Sequence, residues 1–216
     1  MSQILIAAAF GPELEPISRA IGLGNCFKTI AVGVGLVESA ANTGFLLSMN
    51  QGRPPAGLVF VGSCGANDKT IPLGSVVIAS EARLSDETLA HGSGYIPELC
   101  TSRVGANQRL SECLQNHVKE PFLHEPLYSS LAITRNESVA QSHRRYSNAR
   151  LENLELFGVA IACRNQSIPW AALSIVTNHT WERGHLEWKE NHERAAQRTA
   201  QFLIPSLPAL LGCTSP

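Results

Sequence analysis

The sequence predicts an α/β sandwich built on a largely parallel sheet. Three runs, Ile4 to Phe10, Leu58 to Gly62 and Ala171 to Thr177, are short and almost continuously apolar. Strands covered on both faces carry that pattern, because both alternating sides must be apolar. Stretches of helical character separate the strands, and such alternation favours parallel neighbours joined by crossovers. A chain of 216 residues, 44% of them hydrophobic, is long enough to bury its own core, and one domain over 1–216 is expected.

Taken in order, the first strand is closed by Gly11-Pro12, and a helix is expected over Glu13 to Ile21. A second strand spans Phe27 to Val34. A helix over Val37 to Met49 follows the Gly33-Val34-Gly35 turn. The third strand, Leu58 to Gly62, runs into Gly62-Ser63-Cys64-Gly65, and a fourth covers Ser75 to Ser80. The segment Arg83 to Tyr128 has the weakest periodicity and is expected to hold insertions and substrate loops. Leu154 to Gln166 is apolar on most sides and reads as a buried helix. After the last strand, Leu186 to Leu203 is charged on one face and apolar on the other, which suits a final helix covering the sheet.

Composition excludes several classes of function. With a net charge of -1 the chain lacks the basic field that nucleic acid or an anionic membrane needs, so neither is an expected partner. No apolar run approaches the roughly 18 residues of a membrane span. The opening MSQILIAAAF lacks a basic leader and reads as a strand rather than a signal peptide. Six cysteines without CxxC spacing argue against a zinc ribbon and for reduced thiols in the cytoplasm. No histidine pair has HxxxH spacing, and no metal is expected. Gly33-Val34-Gly35 continues to Glu38, so the GxGxxG frame fails. Neither a GxxxxGK[ST] loop nor a GxSxG elbow occurs, and no cofactor is expected.

In a parallel sheet, ligands bind beyond the carboxyl ends of the strands. Glu13 lies just after the first strand. It reads either as a carboxylate that orients a water or as a first-turn Glu favoured by the helix dipole. The Ser63-Cys64-Gly65 segment reads as a close backbone approach to a ligand or as a plain turn, and nothing nearby marks Cys64 as a nucleophile. Asn178 offers one acceptor and two donors, or caps the following turn. Glu155 starts an apolar helix, where a charge is costly unless it is paired, hydrogen-bonded or used.

Together these segments resemble the nucleoside phosphorylase/nucleosidase superfamily. The resemblance rests on ILIAAAFGPELEPI, VGVGLVESAANTG, VFVGSCGANDKTIPLGSVVIAS and LELFGVAIACRNQSIPWAALSIVTN, in that order. It implies a three-layer α/β/α sandwich with a mixed central sheet. It also implies cleavage of the ribosyl C1′–N bond of a purine nucleoside, through a transition state like a ribosyl oxocarbenium ion. The phosphorolytic hexameric branch has an Arg directly before the VGSCG motif, where this chain has Phe60, and Glu13 matches the water-orienting Glu of the hydrolytic branch. Hydrolysis is therefore expected. Adenine-specific members carry Asp where this chain has Asn178, and an amide suits a 6-oxopurine. The segment Asn178 to Trp188 is similar to that of the futalosine hydrolases, with Arg183 and Trp188 at matching spacing. The resemblance thus implies release of hypoxanthine from futalosine in menaquinone biosynthesis.

The resemblance makes Glu13 and Asn178 catalytic. Glu155, Leu154, Ser63, Cys64, Gly65, Val139, Thr177, Arg183 and Trp188 become substrate-binding residues, and a homodimer is the expected assembly. Three positions depart from the pattern. Asn153 replaces an acid, Ser174 replaces an Arg, and Val139 stands where the family stacks an aromatic ring on the base. Adenine-releasing nucleosidases, phosphorylases and a non-catalytic nucleoside-binding protein are the competing expectations.

Overall fold

In a computed structural model, residues 3–21, 26–49 and 52–213 are described; Met1 and Ser2 of the opening segment and the last three residues of the expected 1–216 domain lie outside the described residues. The element order is β1 (Ile4–Ala8), α1 (Gly11–Ile21), β2 (Phe27–Ala31), α2 (Leu36–Met49), β3 (Gly57–Ala66), β4 (Val76–Leu84), α3 (Glu87–Ala90), β5 (Arg103–Gly105), α4 (Gln108–His117), β6 (Phe122–Ser129), α5 (Glu137–Ser147), β7 (Leu151–Glu152), α6 (Leu156–Asn165), β8 (Trp170–His179) and α7 (Gly184–Cys213).

The sheet is mixed and largely parallel. The pairs β1–β2, β1–β3, β3–β8, β4–β6 and β6–β7 are parallel, and β3–β7, β4–β5 and β4–β8 are antiparallel. Strand β3 has two neighbours on one side: its start pairs with β1 and its end with β7. With β8 on its other side, the strands β3, β8, β4, β6 and β7 close into a ring.

Period-2 alternation explains why the strands read as continuous apolar runs. Ile4, Ile6, Val59, Val61, Leu173 and Ile175 pack on one side with Leu14 and Ile17 of α1, Leu110 and Leu114 of α4, and Leu203 and Leu207 of α7. Leu5, Leu58, Phe60, Ala172 and Val176 face the other side, with Leu47 of α2 and Leu156 and Val159 of α6. The helices thus form two layers about the sheet, as the resemblance implies.

The structure corrects several boundaries. Strand β3 does not turn at Gly62; it continues through Ser63, Cys64 and Gly65 to Ala66. Its ladder with β8 holds those residues in the sheet, with a register shift between Cys64 and Gly65. Helix α7 runs past Pro205 and Pro208 to Cys213, because Ser206, Leu207 and Leu210 are buried against the core and that packing outweighs the lost backbone bonds. The weakly periodic segment contains α3, β5, α4 and β6 as regular elements. Val139, expected at the position where the family stacks a ring on the base, lies in the first turn of α5.

Candidate active site

The carboxyl ends of β1, β3 and β8 converge with β7 and the start of α7 on a cavity of about 290 Å³. Of the residues singled out from the sequence, Glu13, Ser63, Cys64, Gly65, Leu154, Glu155, Asn178 and Trp188 line it. Phe10, Ile133, Glu152, Asn153 and His185 join them.

Glu13 sits in the first turn of α1, yet its carboxylate does more than face the helix dipole. Oε1 accepts from the Ser63 amide at 3.0 Å and from the Ser63 hydroxyl at 3.2 Å. Oε2 is buried without a protein partner. Trp188 Nε1 donates to Ser63 Oγ at 3.2 Å, so indole, hydroxyl and carboxylate form a chain. Burial pushes the Glu13 carboxyl up from 4.5 to about 7; the Ser63 amide works against this and the negative charge of Glu155 reinforces it.

Glu155 directly precedes α6 and accepts from the Gly35 amide at 2.8 Å. Burial raises its carboxyl too, with the Gly35 amide opposing. Gly35 has φ of 92°, the left-handed region in which glycine is at ease, and it turns that amide toward the acid. Asn153, standing where the family has an acid, is an anchor. Its Nδ2 donates to Ser63 O at 2.9 Å, and its Oδ1 accepts from the amides of Glu155 and Leu156.

The Asn178 amide is fixed by its neighbours. Oδ1 accepts from the Thr177 hydroxyl at 2.9 Å, and Nδ2 donates to His179 O at 3.2 Å. The second Nδ2 hydrogen is left for a ligand. Thr177, fully buried, thus acts through Asn178 and does not line the cavity.

Two other expected contacts lie elsewhere. Arg183 is exposed and off the lining; the α7 start presents His185 and Trp188 instead, one turn of helix apart. Val139 lines a neighbouring cavity with Asp86, Thr134 and His143. The position over the main cavity belongs to Ile133, which is aliphatic and half exposed. Cys64 is buried, which pushes its thiol far up and makes it inert at neutral pH. Ser174 is buried in β8, and Phe60 is buried in β3.

Glu13, Glu152 and Glu155 are 7, 4 and 6% exposed, and no ion pair among the described residues includes any of them. None of the lining residues is Lys or Arg. Among the described residues no three His, Cys, Asp or Glu side chains are grouped closely enough to hold a metal ion. Separate buried carboxylates with acceptor capacity left over suit a neutral ligand rich in hydroxyls and N–H groups, together with a water.

Residues 24–207 match the model of the phosphorylase superfamily. A 5′-methylthioadenosine/S-adenosylhomocysteine nucleosidase of Glaesserella parasuis is 20% identical over 182 residues, 81% of this chain and 77% of that protein. The solved 5′-methylthioadenosine/S-adenosylhomocysteine nucleosidase of Helicobacter pylori with butyl-thio-DADMe-Immucillin-A superposes with a TM-score of 0.85 at 18% identity, over 97% of this chain and 99% of that one. A mutant futalosine hydrolase of the same organism superposes with a TM-score of 0.84 at 19% identity, over 97% and 100%.

Proposed function

Because the chain belongs to the phosphorylase superfamily, we propose that it is a purine nucleosidase that hydrolyses the N-glycosidic bond of a 6-oxopurine nucleoside, futalosine foremost. The observation that carries the reading is the buried Glu13 carboxylate. One oxygen is held by Ser63 and the other lacks a protein partner in a cavity free of Lys and Arg. Such an oxygen orients a water toward C1′; an anionic phosphate would meet Glu13 and Glu155 with no Lys or Arg on the lining to hold it.

Glu155 accepts from the ribose 2′ and 3′ hydroxyls. Positive charge gathers on the sugar as the C1′–N bond lengthens, and the two carboxylates stabilise it. Asn178 donates to N7 or O6, where negative charge builds on the departing base. Water adds to C1′ while the bond electrons go to the base. The proton that water loses passes by way of Glu13, and the base leaves as neutral hypoxanthine after taking up a proton. Trp188 of α7 and Phe10 screen the cavity, their rings 6.2 Å apart.

Release of adenine from methylthioadenosine is the second reading, supported by the curated relative. It meets an amide at position 178, which has no acid proton to give N7. The two readings are separated by identifying the free base released from each nucleoside. The proposed assembly is a homodimer. Val34, at the cavity, and Val37 and Phe45 on α2 are large, apolar and exposed, which fits a partner copy covering this side.

A further inference from the structure

We propose that Glu152 is a second base-reading residue, accepting the N1–H of a 6-oxopurine whose N7/O6 edge meets Asn178; this rests on the reading of the cavity given above. The placement comes from sheet register. Gly65 pairs with Asn178 on β8 and with Glu152 on β7. All three line the cavity, so Asn178 and Glu152 flank a residue with no side chain. Two strand spacings set their backbones roughly 10 Å apart. A purine with one hydrogen bond at each of these edges fills that width. A Cβ on Gly65 would come within 2.9 Å of Asn178 Nδ2, so the space over the middle strand stays open only for glycine.

The chemistry of Glu152 matches the N1 edge. Its carboxylate is buried without a cation. Oε1 accepts from the Thr134 hydroxyl at 2.5 Å, while Oε2 has a long contact with the Thr134 amide at 3.3 Å. The Ser130 hydroxyl donates to Ala132 O at 2.7 Å instead, and the Tyr128 hydroxyl is buried with no hydrogen-bond partner. A carboxylate has about four acceptor positions, so capacity remains for one donor from the ligand. Thr134 fixes the group and keeps Ile133 on the cavity wall. A 6-oxopurine presents N1–H to this acceptor. A 6-aminopurine presents a lone pair at N1, which faces the carboxylate unfavourably and leaves it unpaired. Glu152 and Asn178 thus reject adenine from opposite edges.

The test compares kcat/KM for hypoxanthine release from inosine, base release from 1-methylinosine, and adenine release from adenosine. In the wild type, N1 methylation removes the donor and is expected to lower kcat/KM at least about tenfold. Glu152→Gln keeps the shape but can turn its NH2 toward N1. It is expected to narrow the hypoxanthine-to-adenine ratio at least about tenfold. Thr134→Val, which removes only the hydroxyl contact, is expected to lower both substrates alike. A wild type that accepts 1-methylinosine as readily as inosine overturns the proposal whether or not the variants fold. So does a Glu152→Gln variant with an unchanged ratio, which would leave Glu152 a support for the Thr134 loop. A wild type that prefers adenosine, or releases no base, overturns the reading of the cavity together with this inference. Hypoxanthine release with an unchanged ratio overturns the inference alone.

Discussion

At the scale of single residues, burial disfavours the charged forms of the carboxylates Glu13, Glu152 and Glu155. Glu13 must be ionised to take a proton from water, and its carboxyl titrates at about 7. The expected pH profile of kcat/KM therefore rises with pH through a limb near 7 and levels above it. Glu13→Gln is expected to lower kcat by a factor of at least about 100 and to abolish that limb, with KM changed far less. Near-normal turnover in the variant removes Glu13 from the mechanism. Glu155 makes a separate prediction. A 2′-deoxynucleoside is expected to react at least about tenfold more slowly than the ribonucleoside, and Glu155→Ala to erase most of that difference. Equal rates for the two sugars in the wild type contradict the role.

At the scale of elements, the legible parts were those with a local signal. Continuous apolar runs marked β1, β3 and β8 because each is covered on both faces. Glycine turns and the helix starts placed α1 and α2 within two residues of their observed limits. The end of β3 was not legible, since Gly62 and Gly65 read as a turn and only pairing with β8 and β7 keeps them extended. Helix α5 was not expected from the sequence, although its cap is local: the Asn136 side chain accepts from the amides of Ser138 and Val139. Glu152 carried no usable signal: its neighbours in the cavity, Gly65 and Asn178, are brought there by strand pairing across distant parts of the chain. Arg183 had the right spacing for a contact but sits on the solvent side of the α7 start. One packing contact offers a test at this scale. A Cβ on Gly158 of α6 would lie 2.5 Å from Ser39 Oγ and 2.6 Å from Leu36 O of α2. Gly158→Ala is expected to destabilise the fold by about 3 kcal/mol, read by denaturant unfolding, because backbone must move to admit the methyl group. A change below about 0.5 kcal/mol would show that the two helices are not in close contact there.

At the scale of the whole molecule, stability and activity pull in opposite directions with pH. Because the folded protein raises the Glu13 carboxyl from 4.5 to about 7, it holds that proton more tightly than the unfolded chain does. The associated stability is fully present below about pH 4.5 and is lost as pH rises through about 7. Glu13→Gln is thus expected to stabilise the protein at pH 8, by at most about 3 kcal/mol, with the gain vanishing by pH 4.5. An inactive but more stable variant is the signature of a carboxylate kept for chemistry. A variant less stable at pH 8 would mark Glu13 as a structural group. The exposed apolar face of α2 makes a further prediction. The chain is expected to sediment as a dimer at micromolar concentration, and Val37→Glu to shift it toward monomer.

The central claim is that this cavity releases a 6-oxopurine to water. Its most direct test offers futalosine, inosine and methylthioadenosine to the purified protein, with and without inorganic phosphate, and identifies the products. The expected result is hypoxanthine from futalosine and inosine at rates that phosphate does not change, with little adenine from methylthioadenosine. Adenine as the favoured product, or a requirement for phosphate with a sugar 1-phosphate as product, would contradict the account.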